Sequence, residues 1–212
     1  MVFDELLALV GQEPVFESSL LLAGDANPAY LRRQLSEWAA GGKLLKLRRG
    51  LYAFAPPYQR IPPHPFLIAN RLMPGSYVSL QAALAAYDLI PEHVAAVTSI
   101  SPRRPGEWLT PLGNFLYQSM RPGLLFGYEQ LAVAEGQTAF VATPEKALLD
   151  LIYLQPEAGV AAYVASLRLQ NLDRLDLTTL EALGRRFNRP KLRRAVQAIA
   201  AEAERAYVYE PL

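Results

Sequence analysis

The chain has 212 residues, 51% hydrophobic and 19% charged, with a formal net charge of +1. That composition is globular and long enough for two domains, and its overall charge says nothing about nucleic acid. Without cysteine there is no disulfide, thiolate zinc site or cysteine nucleophile, and with His64 and His93 the only histidines, no metal and no cofactor is expected.

The opening MVFDELLALVGQEP carries acids where a secretory signal carries bases, and reads as a helix instead of a targeting segment. No run approaches the ~18 apolar residues of a membrane span, so a cytoplasmic protein with no membrane partner is expected. Phe3, Leu6, Leu7 and Val10 recur at helical spacing and predict the first helix. ESSLLLAG, 17–24, predicts a short second helix ended by Gly24.

In DANPAYLRRQLSEWAAGGK, 25–43, Asn27 stands as N-cap, Pro28 takes the first helical position and Gly41-Gly42 ends the helix. At about 100° per residue, Leu31, Leu35 and Trp38 share one face and Arg33, Ser36 and Glu37 the opposite one. Tyr30 and Arg32 flank that polar stripe, and Gln34 lies nearer the core. The stretch KLLKLRRGLYAFA, 43–55, predicts a hairpin. In it Leu45 and Leu47 alternate inward, Lys46 and Arg48 outward, Gly50 supplies a positive φ, and Tyr52 and Phe54 close over the core.

APPYQRIPPHP, 55–65, admits neither helix nor interior strand, because proline fixes its own φ and biases the preceding residue toward extended backbone. It divides a domain at 1–56 from one at 66–212, with 57–65 as linker. Beyond it, HPFLIANRLMPG predicts a helix up to Pro74 and SLQAALAAYDLIP one capped by Ser79. AAVTSIS, GNFLYQSM, EQLAVA and QTAFVA alternate in period two and predict a small, mostly antiparallel sheet. TPEKALLDLIYL, AGVAAYVASLRLQN, TTLEALGRRFN and RPKLRRAVQAIAAEAERAY then return to helical spacing. The expected fold class is α+β: an N-terminal winged helix-turn-helix followed by a larger α+β domain with C-terminal helices.

Charge is distributed unevenly. Between 32 and 60 lie Arg32, Arg33, Lys43, Lys46, Arg48, Arg49 and Arg60, opposed only by Glu37; RRFNRPKLRR, 185–194, holds no acid. Screening confines Coulomb attraction to ~8 Å, so local clusters matter more than net charge. Three helices and a basic-tipped hairpin is the order in which the third helix enters a major groove and the hairpin rests on phosphate. Its first turns would also offer free N–H groups and a positive dipole end. The candidate DNA-binding residues are Tyr30, Arg32, Arg33, Ser36, Glu37, Lys43, Lys46, Arg48 and Arg49. Arg185, Arg186, Arg189, Lys191, Arg193 and Arg194 form a candidate second anion or DNA patch, with Asn188 capping the final helix. Plainer readings stand beside these. Arg33 and Glu37 are spaced as an exposed i, i+4 pair, 185–194 could be a solvated face or grip an acidic partner, and the first domain could dock a protein.

No catalytic residue is expected. Gly75-Ser76 is followed by no paired carboxylates, only Asp88, and reads as a turn after Pro74. Glu145, Lys146 and Asp150 are accounted for by helix initiation: Thr143 as cap, Pro144 at the first position, Glu145 on the dipole, and Lys146 paired one turn on with Asp150. Neither a G-x-S-x-G elbow nor a Gly-rich phosphate loop is present. His64 and His93 have no partner at ligand spacing and read as ordinary boundary or surface residues.

The runs QLSEWAAGGKLLKLRRGLYAFAPP, HPFLIANRLMPGSYVSLQAALAAYDLIPEHV, TPLGNFLYQ and FVATPEKALLDLIYL resemble the AbiEi family, over about residues 3 to 195. These are antitoxins and transcriptional regulators of type IV toxin-antitoxin, or abortive-infection, systems. The resemblance implies a winged helix that binds inverted repeats of double-stranded DNA in its own promoter, acting as a repressor. It also implies a C-terminal domain needed for antitoxin function and full repression. The functional partner would be a nucleotidyltransferase-like toxin, opposed without a stable complex, and orphan regulators without a toxin are similar. Onto this sequence the family's DNA-binding positions carry over as Arg32, Arg33, Lys46, Arg48 and Arg49.

Overall fold

A computed structural model describes residues 1–22, 27–92, 94–155 and 161–208. Among them the chain is mixed α and β, with eight α-helices, a three-stranded antiparallel sheet and a six-stranded mixed sheet.

The first sheet belongs to the N-terminal quarter. Helix α1 (Phe3–Val10) buries Leu6 and Val10, α2 (Pro28–Ala40) buries Leu31 and Leu35, and β1 (Phe16–Glu17) adds to the hairpin of β2 (Leu44–Arg48) and β3 (Leu51–Phe54) in the order β1-β3-β2. The short second helix expected at 17–24 is instead β1 followed by one 3-10 turn, Leu20–Leu22. Phe16 has its side chain in the core and its backbone in register with Tyr52, and an extended pairing fixes more hydrogen bonds there than an isolated short turn could. The expected stop at Gly24 lies outside the described residues. Asn27 caps α2 as its sequence demands: its Oδ1 accepts from the backbone N–H of Ala29 and Tyr30 at 2.9 and 3.3 Å. Gly50 takes the hairpin turn with φ 83.

Hairpin register departs from the simple alternation. Leu44 pairs with Phe54 and Lys46 with Tyr52, but a bulge follows and Arg48 then pairs with Leu51. One extra residue reverses the side of everything after it. Leu44, Tyr52 and Phe54, with Phe16, therefore close the small core with α1 and α2, whereas Leu47, Leu51, Ala53 and Val15 join the large core of the C-terminal elements. All four residues of β3 are buried. Leu45 and Leu47 do not point into the N-terminal core as expected, and Arg48 does not share the outward face of Lys46.

After the Pro-rich stretch comes α3 (Pro65–Leu72). His64 is its N-cap: the Nδ1 accepts the Phe66 N–H at 3.2 Å, while the Gln137 side chain accepts the His64 N–H at 2.8 Å and donates to the Pro62 carbonyl at 2.9 Å. The six-stranded sheet comprises β4 (Tyr77–Val78), β5 (Ala96–Ser101), β6 (Gly106–Thr110), β7 (Gly113–Ser119), β8 (Tyr128–Ala134) and β9 (Gln137–Ala142), ordered β6-β7-β5-β4-β9-β8. Pairs β5–β7 and β4–β9 are parallel, so the sheet is larger and more mixed than period-two runs alone implied. β4 and β6 carried no such run: β4 has two residues and β6 is an exposed edge. Before β4 begins, the Asn70 side chain extends the pairing with β9, accepting from the Phe140 N–H at 2.6 Å and donating to its carbonyl at 3.4 Å.

Helix α3 covers one face of this sheet, where Tyr117 donates to the Ala69 carbonyl at 2.7 Å. Helices α4 (Leu80–Ala86), α5 (Pro144–Leu154) and α7 (Leu177–Phe187) pack together in the other layer, with α6 (Ala161–Ser166) and α8 (Pro190–Val208) behind. Thr143 accepts the Lys146 N–H and Asp176 the N–H groups of Thr178 and Thr179 as N-caps. Ser79 holds the N-cap position of α4 without capping it, and Asn188 ends α7 in the left-handed region instead of starting α8. No described helix is long and apolar enough to cross a membrane.

Burial holds the His64 imidazole below the ordinary histidine range. A group that protonates less readily folded than unfolded stabilises fully above its unfolded value, about pH 6.5, and loses that contribution as pH falls through the folded value. Denaturant titrations between about pH 7 and pH 5 should therefore show falling stability. His64→Asn, which keeps an acceptor at every pH, should flatten that fall; an unchanged profile in this variant would remove the cap from the account.

Candidate nucleic-acid interface and a buried ionic core

Helix α2 presents its predicted outer face to solvent. Leu31 and Leu35 are buried, Trp38 half-buried, and Arg32, Arg33, Ser36 and Glu37 exposed. Arg33 leans on two neighbours, with Nε 3.5 Å from Glu37 and the guanidinium 5.3 Å from the Tyr30 ring. Both members of that ion pair are largely exposed, and such pairs contribute only about 0.3–0.5 kcal/mol, so an incoming anion can replace Glu37 readily. Tyr30 is 47% exposed, and its hydroxyl accepts from Gln34 Nε2 at 3.2 Å. Ser36 Oγ donates to the Arg32 carbonyl at 2.9 Å, leaving its lone pairs outward.

The hairpin contributes unevenly. Lys46 stands on the face of β2 that also carries Leu44, the face against which α2 packs, and it is exposed. Arg49 is exposed at the turn. Among the described residues the side chains of Arg32, Lys46 and Arg49 make no hydrogen bond or ion pair. Lys43 is drawn back, its ammonium 4.6 Å from the Phe3 ring centroid. Arg48 is turned away altogether and engages Glu17 and the Arg71 carbonyl, each at 3.1 Å. It is removed from the set of outward cations by the bulge before it.

The second basic cluster also divides. Lys191 donates to the carbonyls of Tyr153 and Gln155 at 3.1 and 2.6 Å and so caps the C-terminus of α5. Arg185 pairs with Glu181 at 2.7 Å, and Arg186 lies 3.7 Å above the Phe126 ring. Arg189, Arg193 and Arg194 are exposed.

Sequence reasoning missed the most charged part of the interior. Lys146 and Asp150 do pair one turn apart, yet both are wholly buried, and Glu145 is 5% exposed. The carboxylate of Asp150 accepts from Lys146 and, at 2.9 Å each, from Tyr77 and Ser79. The Lys146 ammonium also donates to the Tyr77 hydroxyl at 2.9 Å and lies 4.9 Å from the centroids of both Phe126 and Phe187. Glu145 accepts the Asp176 N–H at 3.0 Å. Burial pulls Lys146 down and pushes Asp150 up, each opposed by the other's charge, and it pushes the Tyr77 phenol far up. The helix-initiation account holds for Thr143, Pro144, Glu145 and the Lys146–Asp150 spacing, but it is incomplete, because these buried groups also join α5 to β4, α4 and α7. This nearly fully buried network links elements that are distant in the chain. Its remaining hydrogen-bond partners, Tyr77, Ser79, Met120 and the Asp176 N–H, lie far away in the chain, so local spacing carried no signal of it. His64 proves to be a helix cap, and His93 lies outside the described residues. No group of three or more metal-ligating side chains occurs among the described residues.

Neither protein-family models nor curated proteins match the chain.

Removing one member of a buried ion pair leaves the other uncompensated, at about 3–5 kcal/mol, whereas replacing both by apolar groups of similar volume is often neutral. Asp150→Leu is accordingly expected to lower stability by about that amount, and Lys146→Met with Asp150→Leu to recover most of it, as read by chemical denaturation. Full additivity of the two losses would contradict the coupling.

Proposed function

We propose that the chain is a DNA-binding transcriptional regulator whose residues 1–56 form a winged helix-turn-helix. The supporting order is helix, strand, short turn of helix, helix, then a hairpin to which the first strand adds. In this reading α2 enters the major groove and the hairpin tip approaches the adjacent backbone. The observation that carries the proposal is the joint exposure of Arg32, Arg33, Ser36 and Glu37 on one face of α2, with Lys46 on the hairpin face that α2 packs against and Arg49 at the turn. Arg32, Lys46 and Arg49 would neutralise phosphate, which fixes position without reading sequence. Arg33 and Glu37, centred on α2, would read base edges: the guanidinium on guanine, the carboxylate on a cytosine amino group. Release from the weak Arg33–Glu37 pair would accompany binding.

The resemblance to the AbiEi family extends this to a repressor of its own promoter and to an antitoxin opposing a nucleotidyltransferase-like toxin. The exposed Arg189, Arg193 and Arg194 of the second cluster are its remaining candidates for anion contact.

Purified protein should shift duplex DNA from its own upstream region, with log affinity falling linearly in log salt at about 0.9 per phosphate neutralised. Lys46→Ala and Arg49→Ala should each reduce that slope by about one and weaken all sequences alike. Arg33→Ala should relax preference at one base pair, by about 1–3 kcal/mol. Absence of any salt-dependent shift by the unaltered protein would overturn the reading.

A further inference from the structure

We infer that Arg48 is a positioning residue that clasps the β2–β3 hairpin to the C-terminal end of α3, holding the α2 surface and the six-stranded sheet as one body. Its consequence for DNA rests on the reading above; the clasp itself rests on geometry.

Three observations converge on it. The bulge between Lys46 and Arg48 turns Arg48 to the side of Leu47 and Leu51, which is the side buried in the large core. Its guanidinium then meets acceptors from separate parts of the chain: one terminal nitrogen donates to the Glu17 carboxylate of β1 and the Arg71 carbonyl of α3, both at 3.1 Å, and the other to the Arg49 carbonyl at 3.1 Å. Its Nε is buried without a partner among the described residues, so the fork is wedged in place and not merely resting on the surface.

The Arg71 carbonyl lies in the last turn of α3, beyond the closing backbone bond from the Met73 N–H to the Ala69 carbonyl at 3.2 Å, and the C-terminal end of a helix is its negative end. A cation there satisfies both the orphan acceptor and the dipole. Two residues earlier, the Ala69 carbonyl accepts from Tyr117 at 2.7 Å, so the end of α3 is gripped from the sheet and from the hairpin together. Arg48 is near enough for its charge to oppose the upward shift that burial gives the Tyr117 phenol. Glu17 completes the arrangement by pairing in register with Leu51, the residue opposite Arg48. A planar fork with several fixed donors suits three acceptors in a way that a single ammonium does not.

The test compares Arg48→Ala, Arg48→Lys and Arg49→Ala with the unaltered chain by amide exchange and by salt-dependent DNA binding. The clasp requires that Arg48→Ala, and to a similar degree Arg48→Lys, raise exchange at Leu72 and Met73 at least roughly ten-fold, with the Leu35 amide of α2 unchanged. It also requires that Arg48→Ala keep the salt slope of the unaltered chain, while Arg49→Ala lowers it by about one. Wild-type exchange in both Arg48 variants, or a slope lowered equally by Arg48→Ala and Arg49→Ala, overturns it; the latter would make Arg48 a phosphate contact. If Arg48→Ala does not fold, Arg48→Lys alone decides through exchange. If the unaltered chain shifts no DNA, the DNA-binding reading falls and the exchange result still decides the clasp.

Discussion

Most of the arrangement follows from one constraint: strand β3 of the hairpin is buried on both faces. Tyr52 and Phe54 complete a small core with α1 and α2, while Leu51 and Ala53, between and beside them on the same strand, belong to the large core. A strand with both faces covered cannot slip register, since a shift of one residue would exchange its two hydrophobic sets between cores of different shape. Full burial of a leucine-sized side chain removes about 1.5–3 kcal/mol of unfavourable hydration, and this strand does so on each side. The DNA-facing surface we propose is therefore mounted on the remainder of the protein, not tethered to it by the Pro-rich stretch alone.

The same constraint decides which cations remain outside. Three consecutive helices end on a base supplied from far away in the chain: Arg48 on α3, Arg174 on α4 through the Tyr87 carbonyl at 2.9 Å, and Lys191 on α5. Each occupies the negative end of a helix and satisfies carbonyls that have no intrahelical donor. Two of the three sit in stretches whose basic density otherwise suggests polyanion contact. Local charge counts thus overstate the free positive surface, because a guanidinium serves a carbonyl as well as a phosphate.

A second organising element is the Lys146–Asp150 pair with Tyr77 and Ser79. Ions in a low-dielectric interior persist only when nearly every donor and acceptor is matched, and here the carboxylate takes three donors while aromatic rings of Phe126 and Phe187 face the ammonium. Gly127, at φ 69, lets its backbone pass the Lys146 side chain closely, since a Cβ there would lie 3.2 Å from it. Arg186 covers the outer face of Phe126, so the exposed α7 end and the buried pair share one aromatic ring. The arrangement ties α5 to β4 and to the loop before β8, and gives the larger unit a fixed internal register.

What the sequence by itself determined is what depends on near neighbours. Asn27-Pro28 and Thr143-Pro144 set the starts of α2 and α5, helical periodicity set the polar face of α2, and glycine set the hairpin turn, because caps, periodicity and φ act within a few residues. What only the tertiary structure decided is where each side chain with more than one suitable environment goes. The bulge that reverses Arg48, the strand β1 in place of a helix, the two-residue β4 completed by Asn70, and the burial of Glu145, Lys146 and Asp150 all require partners 30 or more residues away. A lysine or arginine in the sequence specifies a charge and a reach; whether that charge meets solvent, a helix end or a buried carboxylate depends on a desolvation balance that exists only once the chain has closed around it.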